Sequence, residues 1–218
     1  MKLIIGNKNY SSWSLRPWLL LAHHNLPFEE IRIGLDQDDT QAKLARYTDA
    51  GKLPVLLDGE LRVWDSLAIC EYVSDLYLDG RGWPGELTAR AQARACCAEM
   101  HAGFAQVRGQ LPMNCRATGR RVPLSVALQK EIARVEQIWS VYPQTYSASG
   151  PWLFGDFSIA DCMFAPVVFR FMTYGIKVSP PATRYMNMVL GHDAMQEWHR
   201  QAADEPEVLV AEEVGVQA

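Results

Sequence analysis

Apolar and polar residues fall into blocks whose spacing changes once along the chain, near residue 80. Before that point the blocks are short. Leu3 to Ile5 make an apolar run closed by Gly6, the pattern of a buried strand. Leu15 to His24, rich in leucine, tryptophan and alanine, reads as a helix that Asn25 closes and Pro27 cannot extend. Phe28 to Ile33 reads as a second strand, and the polar stretch from Asp36 to Ala50 has room for a short helix. Pro54–Leu57 and Glu60–Val63 flank Asp58-Gly59, which predicts a β-hairpin because Asp-Gly tolerates the positive φ angles of a tight turn. A helix starting at Asp65 or Ser66 follows, with Ile69, Val73, Leu76 and Tyr77 recurring at helical spacing. The order β-α-β-α-β-β-α predicts a mixed sheet covered by helices.

The glycine- and proline-rich stretch Asp79 to Gly85 reads as a linker, and beyond it strand patterns give way to long helical periods. The expected division is therefore residues 1–79, a linker over 80–86, and 87–218. Ala91, Ala95, Ala98, Ala102 and Ala105 form a seam of small residues, and Leu128, Ile132, Val135, Ile138 and Tyr142 form an apolar stripe. Ile159 to Phe171 is apolar nearly all round, which predicts a buried central helix, bent where Pro166 removes a backbone hydrogen bond. The expected architecture is a small α/β domain followed by an all-helical bundle.

Composition narrows the partners. Of 218 residues, 49% are hydrophobic and 21% charged, enough core material for two modest domains. A formal charge of -4 without a basic stripe argues against nucleic acid as the main partner. No run approaches the roughly 18 to 20 apolar residues that span a bilayer, and Met1 to Gly6 is too short for a signal-peptide core. A cytoplasmic protein without a membrane partner is expected. Cys70, Cys96, Cys97, Cys115 and Cys162, odd in number and lacking a C-x-x-C, read as buried free thiols, not as disulfides or metal ligands.

Three segments could carry chemistry. Between the first strand and helix lies Asn9-Tyr10-Ser11-Ser12-Trp13-Ser14-Leu15-Arg16-Pro17. Ser14 is a good N-cap and places Pro17 early in the helix, leaving Ser11 and Ser12 beside the positive end of its dipole. These serines either cap the helix or stabilise an anion, such as a thiolate, that sits there. Gly51-Lys52-Leu53-Pro54-Val55-Leu56 puts a proline at a strand start, compatible with a trans or a cis peptide bond. Leu53 could then pair its backbone with an extended peptide ligand. In Trp64-Asp65-Ser66-Leu67, Asp65 or Ser66 either caps the next helix or holds the charged end of a ligand.

Taken together, the order Tyr10-Ser11-Ser12-x-Ser14-x-Arg16, Lys52-Leu53-Pro54-Val55-Leu56 and Asp65-Ser66-Leu67-Ala68-Ile69 resembles the N-terminal domain of glutathione S-transferases. Phe157-Ser158-Ile159-Ala160-Asp161, an S-x-x-D capping box before an apolar run, resembles that family's N-capping motif in the central helix. The resemblance implies a thioredoxin-like domain that binds glutathione as co-substrate, and a helical domain that supplies most of the pocket for a small electrophile. It implies that Leu53 precedes a cis Pro54 and pairs with the cysteinyl backbone, that Asp65 and Ser66 hold the γ-glutamyl end, and that Ser158 and Asp161 are structural. No metal enters this chemistry. The family is usually homodimeric, with Asp65 near the dimer cleft. The doubled serine is most similar to the serine-dependent classes, particularly zeta, which makes Ser11 the first and Ser12 the second choice as thiolate partner.

Two departures qualify the likeness. Zeta members carry a cysteine where this chain has Trp13, and an arginine where it has Thr173, with Arg170 one turn earlier as the possible substitute. The expected reaction is conjugation of glutathione to an electrophile. Glutathione-dependent cis–trans isomerisation of a maleylacetoacetate-like acid and non-catalytic glutathione binding are the alternatives. Met113, Asn114, Trp139 and Phe169 are candidate pocket neighbours, whereas His23, His24 and His101 are expected away from the site.

Overall fold

The structure is a computed structural model that describes residues 1–217. Its N-terminal part is built from β1 (Lys2–Ile5), α1 (Ser12–His23), β2 (Glu29–Arg32), α2 (Thr40–Leu44), β3 (Val55–Asp58), β4 (Leu61–Val63) and α3 (Ser66–Tyr77). The sheet order is β2-β1-β3-β4, with β1 parallel to β2 and the other neighbours antiparallel. Strand alternation divides the core. Leu3 and Ile5 face the large cluster shared with α1 and α3, while Ile4 packs with Ile33, Leu44 and Val55 on the other face. In the hairpin turn Gly59 alone supplies a positive φ, +57°, so Asp58 does not need one. Asn25 ends α1 in the left-handed region, as a C-terminal stop should.

The second part consists of α4 (Leu87–Ala102), α5 (Ala105–Gln110), α6 (Val126–Thr145), α7 (Ile159–Thr173), α8 (Pro180–Gly191) and α9 (Asp193–Ala203). It departs from an entirely helical reading in one short ladder, β5 (Arg120–Arg121) against β6 (Val216–Gln217), and in a 3-10 turn at Val210–Glu212. Almost every residue of α7 is buried, and α7 packs against both α1 and α4. The stripe on α6 is inward at Leu128, Ile132, Val135 and Ile138. The alanine seam is not. Ala89, Ala93, Cys96, Cys97 and Met100 form the inner face of α4, and Ala91, Ala95, Ala98 and Ala102 face outward. A methyl group gains too little from burial to set a helix's rotation against cysteine and methionine. Leu76 likewise points outward on α3.

All five cysteines are free and buried, and burial pushes each thiol up from its usual range. Among the described residues no helix is long and apolar enough to cross a membrane, and no group of side chains could hold a metal ion.

Candidate active site

Helix α1 begins three residues earlier than its capping pattern suggests. Ser11, not Ser14, is the N-cap, and Pro17 lies inside the helix, at its sixth position. Ser14 is occupied elsewhere. Its hydroxyl accepts the Gly6 N–H at 3.1 Å and lies 2.7 Å from the Ser11 hydroxyl. Gly6 must be small here, since a Cβ would stand 2.9 Å from Leu35 and 3.1 Å from Ser11. Ser14 is wholly buried and its proton has only Ser11 Oγ as acceptor among the described residues, so Ser14 donates to Ser11. The Ser11 proton is thereby left to face outward.

Ser11, Ser12 and Trp13 line a cleft of about 970 Å³ between the two parts of the molecule. Its other walls include Leu53 and Pro54, Trp64 and Asp65, and His101, Arg108, Arg170 and Glu212. The Leu53–Pro54 peptide is cis. Neither the N–H nor the C=O of Leu53 takes part in a hydrogen bond among the described residues. Asp65 caps α3 by accepting the Leu67 N–H at 3.2 Å, and His101 Nε2 lies 3.0 Å from its second oxygen. Ser66 is wholly buried, does not line the cleft, and its hydroxyl has no partner among the described residues.

Arg108 and Arg170 make one wall of the cleft basic. Arg170 is buried, donating from Nη1 to the carbonyls of Arg108 and Leu111 and from Nη2 to Ser12 Oγ at 3.0 Å. Arg16 is buried behind the lining, stacked 4.1 Å from the Trp13 ring centroid, with Nε and Nη1 unpartnered. Burial, with the neighbouring Arg170 and Arg108 guanidiniums, brings Arg16 down to about 9. Burial lowers Arg170 to about 10, and nearby Glu212 partly restores it. Both remain cations at neutral pH. Glu212 is raised by its own burial, which outweighs the pull of Arg170.

Tyr10 also lines the cleft, but its hydroxyl is committed, donating to Glu213 at 2.6 Å and accepting from Arg116 at 2.9 Å. The loop before the serines is held by distant residues. The Glu205 carboxylate accepts the N–H groups of Lys8 at 2.7 Å and Asn9 at 3.0 Å, Trp198 donates to the Lys8 carbonyl, and Asn9 pairs with Asn114.

The sequence-derived site is therefore partly gathered and partly corrected. Ser11, Ser12, Leu53, Pro54 and Asp65 meet at one cleft. Met113, Asn114, Trp139 and Phe169 do not reach it; all four are wholly buried core side chains, and Asn114 serves the loop just described. Thr173 is also structural, donating to the Asn114 carbonyl. His101 was expected elsewhere, yet α4 carries it into the cleft beside Asp65. Arg108 and Glu212 had no local signal at all. Ser158 and Asp161 lie at the start of α7, where the Asp161 carboxylate accepts Ser158 N–H at 2.9 Å, Ser158 O–H, Leu153 N–H and Tyr185 O–H.

Known proteins share this architecture. The family models for the glutathione S-transferase N-terminal domain and C-terminal domain match residues 10–76 and 90–200. A probable maleylacetoacetate isomerase of Caenorhabditis elegans is 26% identical over 183 residues, covering 83% of this chain and 84% of that protein. A dichloromethane dehalogenase of Methylorubrum extorquens is 42% identical over 72 residues, but this match spans 31% of the chain and only a quarter, 25%, of that enzyme. Among solved structures, a glutathione transferase homologue from Burkholderia gl BGR1 with bound glutathione superposes with a TM-score of 0.68 at 22% identity, over 94% of this chain and 98% of that one. A zeta-class bacterial maleyl pyruvate isomerase superposes equally well, 0.68 at 16% identity over 95% and 100%. At these identities the structural likeness is one of fold. With both family models matched in chain order, the chain belongs to the glutathione S-transferase family.

Proposed function

We propose that the cleft binds glutathione and activates its thiol as a thiolate for attack on a small electrophile. One observation carries this reading: donors at the first turn of α1 are uncommitted. The Ser12 proton and the Trp13 N–H have no acceptor among the described residues, and both residues line the cleft. A thiolate set there gains hydrogen bonds and the positive end of the helix, and thiolate is the nucleophilic form. The free backbone of Leu53 supports strand-like pairing with the cysteinyl residue of glutathione. Asp65 and Ser66 are the proposed holders of the γ-glutamyl end, Asp65 for its ammonium group. Tyr10 is not the thiolate partner, because its proton is spent on Glu213. No cysteine lines the cleft, which speaks against thiol–disulfide chemistry. The exposed apolar side chains of Leu61, Trp64 and Leu76, on or near β4 and α3, support a homodimer.

A second reading has its own observation. Arg108 and Arg170 line the cleft, with Glu212 beside Arg170, which suits a substrate bearing a carboxylate. The matching reaction is glutathione-dependent isomerisation, in which the thiolate adds to a cis double bond and leaves again. It consumes no glutathione, whereas conjugation does.

Calorimetric titration with glutathione, alongside the ultraviolet absorbance of bound thiolate, tests the main reading. Binding with a thiol pKa well below that of free glutathione is the expected result. Binding without ionisation would leave a non-catalytic glutathione-binding protein, and no binding would reduce the likeness to one of fold. Turnover of a maleyl-type acid without net loss of glutathione would select the isomerase.

A further inference from the structure

We propose that Ser12, backed by Arg170 from the helical domain, is the hydroxyl that chiefly sets the ionisation of the bound thiol, and that Ser11 is the lesser donor. The inference rests on the glutathione reading above. It begins with the accounting of protons. Ser12 Oγ accepts from Arg170 Nη2 at 3.0 Å, and no acceptor for the Ser12 proton exists among the described residues. One side of this hydroxyl is therefore held by a cation, and the other can only donate. A donor whose oxygen accepts from a guanidinium is polarised and gives a stronger hydrogen bond to an anion. Ser11 is backed differently. Its oxygen sits at the end of a neutral chain, Gly6 N–H to Ser14 to Ser11, with no charge behind it.

Arg170 is built for this post. Nη1 spends both its protons on the carbonyls of Arg108 and Leu111, at 3.0 and 2.6 Å, which locks the guanidinium plane and aims Nη2 at Ser12. It is therefore less free than Arg108 to clamp a substrate carboxylate. Arg108 spends one bond on the His101 carbonyl and otherwise faces the cleft. The geometry assigns Arg170 a positioning and polarising role through Ser12, without contact to the reacting sulfur. When glutathione binds, its thiol proton passes to solvent, and the sulfur left behind accepts from Ser12.

The thiol pKa of bound glutathione, read by thiolate absorbance against pH, tests this in the unaltered protein, four single variants and the Arg170→Lys, Ser12→Ala double variant. Affinity for S-methylglutathione, which has no thiol to ionise, reports on binding geometry alone. Ser12→Ala is expected to raise the bound thiol pKa by about one to two pH units, as for the loss of a hydrogen bond to a charged group. Its S-methylglutathione affinity stays within about twofold, since that ligand forms no thiolate. Ser11→Ala moves the pKa by less, and Ser12→Thr, which keeps the hydroxyl, restores it. Arg170→Lys raises the pKa in the parent protein but adds nothing on top of Ser12→Ala, as expected of a residue that acts through Ser12. Equal or larger shifts in Ser11→Ala, or additive effects of Arg170→Lys and Ser12→Ala, overturn the proposal. Should Arg170→Lys fail to fold, the comparison of the two serine variants decides. An unaltered protein that binds and ionises glutathione, with no sensitivity to Ser12→Ala, sinks this inference alone. An unaltered protein that does not bind glutathione sinks both readings.

Discussion

A hydroxyl buried without a partner costs free energy, and Ser66 carries one at the first position of α3, next to the cleft residue Asp65. A ligand carboxylate at this helix start would give that proton an acceptor once the Ser66 side chain turns toward the cleft. Ser66→Ala is then expected to weaken glutathione binding by about 1 to 3 kcal/mol, the range for a lost hydrogen bond to a charged group. Titration calorimetry measures it, and unchanged affinity would leave Ser66 as a packing residue. At this scale the sequence was informative where a residue's task is local. Ser11, Ser12, Leu53, Pro54 and Asp65 each sit at the start of an element, where a cap, a proline or an open N–H is visible in a few letters. His101, Arg108 and Glu212 sit within or after helices of ordinary pattern, and only packing brings them to the cleft. The true N-cap is hidden for a related reason: Ser14 looks like a cap by itself, but the folded chain uses its hydroxyl to tie Gly6 to Ser11.

Among the elements, α7 depends most on a single side chain. The Asp161 carboxylate collects four donors from Leu153, Ser158 and Tyr185, joining the helix start to the preceding loop and to α8. Removing it strands buried N–H and O–H groups, each costing about 1 to 3 kcal/mol. Asp161→Ala is therefore expected to lose about 3 kcal/mol or more in urea denaturation, against about 1 kcal/mol for Ser158→Ala as a plain cap deletion. Equal losses would show that Asp161 does nothing beyond capping. The apolar run and the S-x-x-D box made α7 legible from its letters. The inner face of α4 was not, because alanine marks a face too weakly when cysteine and methionine lie opposite.

For the whole molecule, the seam between its two parts includes a cluster of neutral imidazoles. His23, at the end of α1, stacks 3.8 Å from Phe157 and lies 2.8 Å from His192, which precedes α9. Burial, and then neighbouring His24 and His192, brings His23 down to about 4, and burial lowers His24 and His192 as well. With folded values below the unfolded 6.5, the unfolded chain takes up protons first as pH falls. The stabilising share of these residues is complete above pH 6.5 and is lost as pH falls toward 4. His23→Phe keeps the stack and removes one such group. Its Tm is expected to fall less steeply than that of the parent between pH 6.5 and 4, though it starts lower at neutral pH. Parallel curves would show that His23 is not involved.

The clamp on the entry loop has a consequence for how the protein is made. Lys8 and Asn9 are made long before the carboxylate that fixes them, since Glu205 lies 197 residues beyond Lys8. Domains tend to fold as they emerge, N-terminal first. The sheet and α1 can therefore form on the growing chain, but the loop leading to Ser11 waits for the second part of the molecule before its anchors at Asn114, Trp198 and Glu205 exist. A nascent chain halted before Asn114 carries Ser11 and Ser12 on a loop that none of these anchors holds, and the proposed glutathione site is completed only once the helical part has been made.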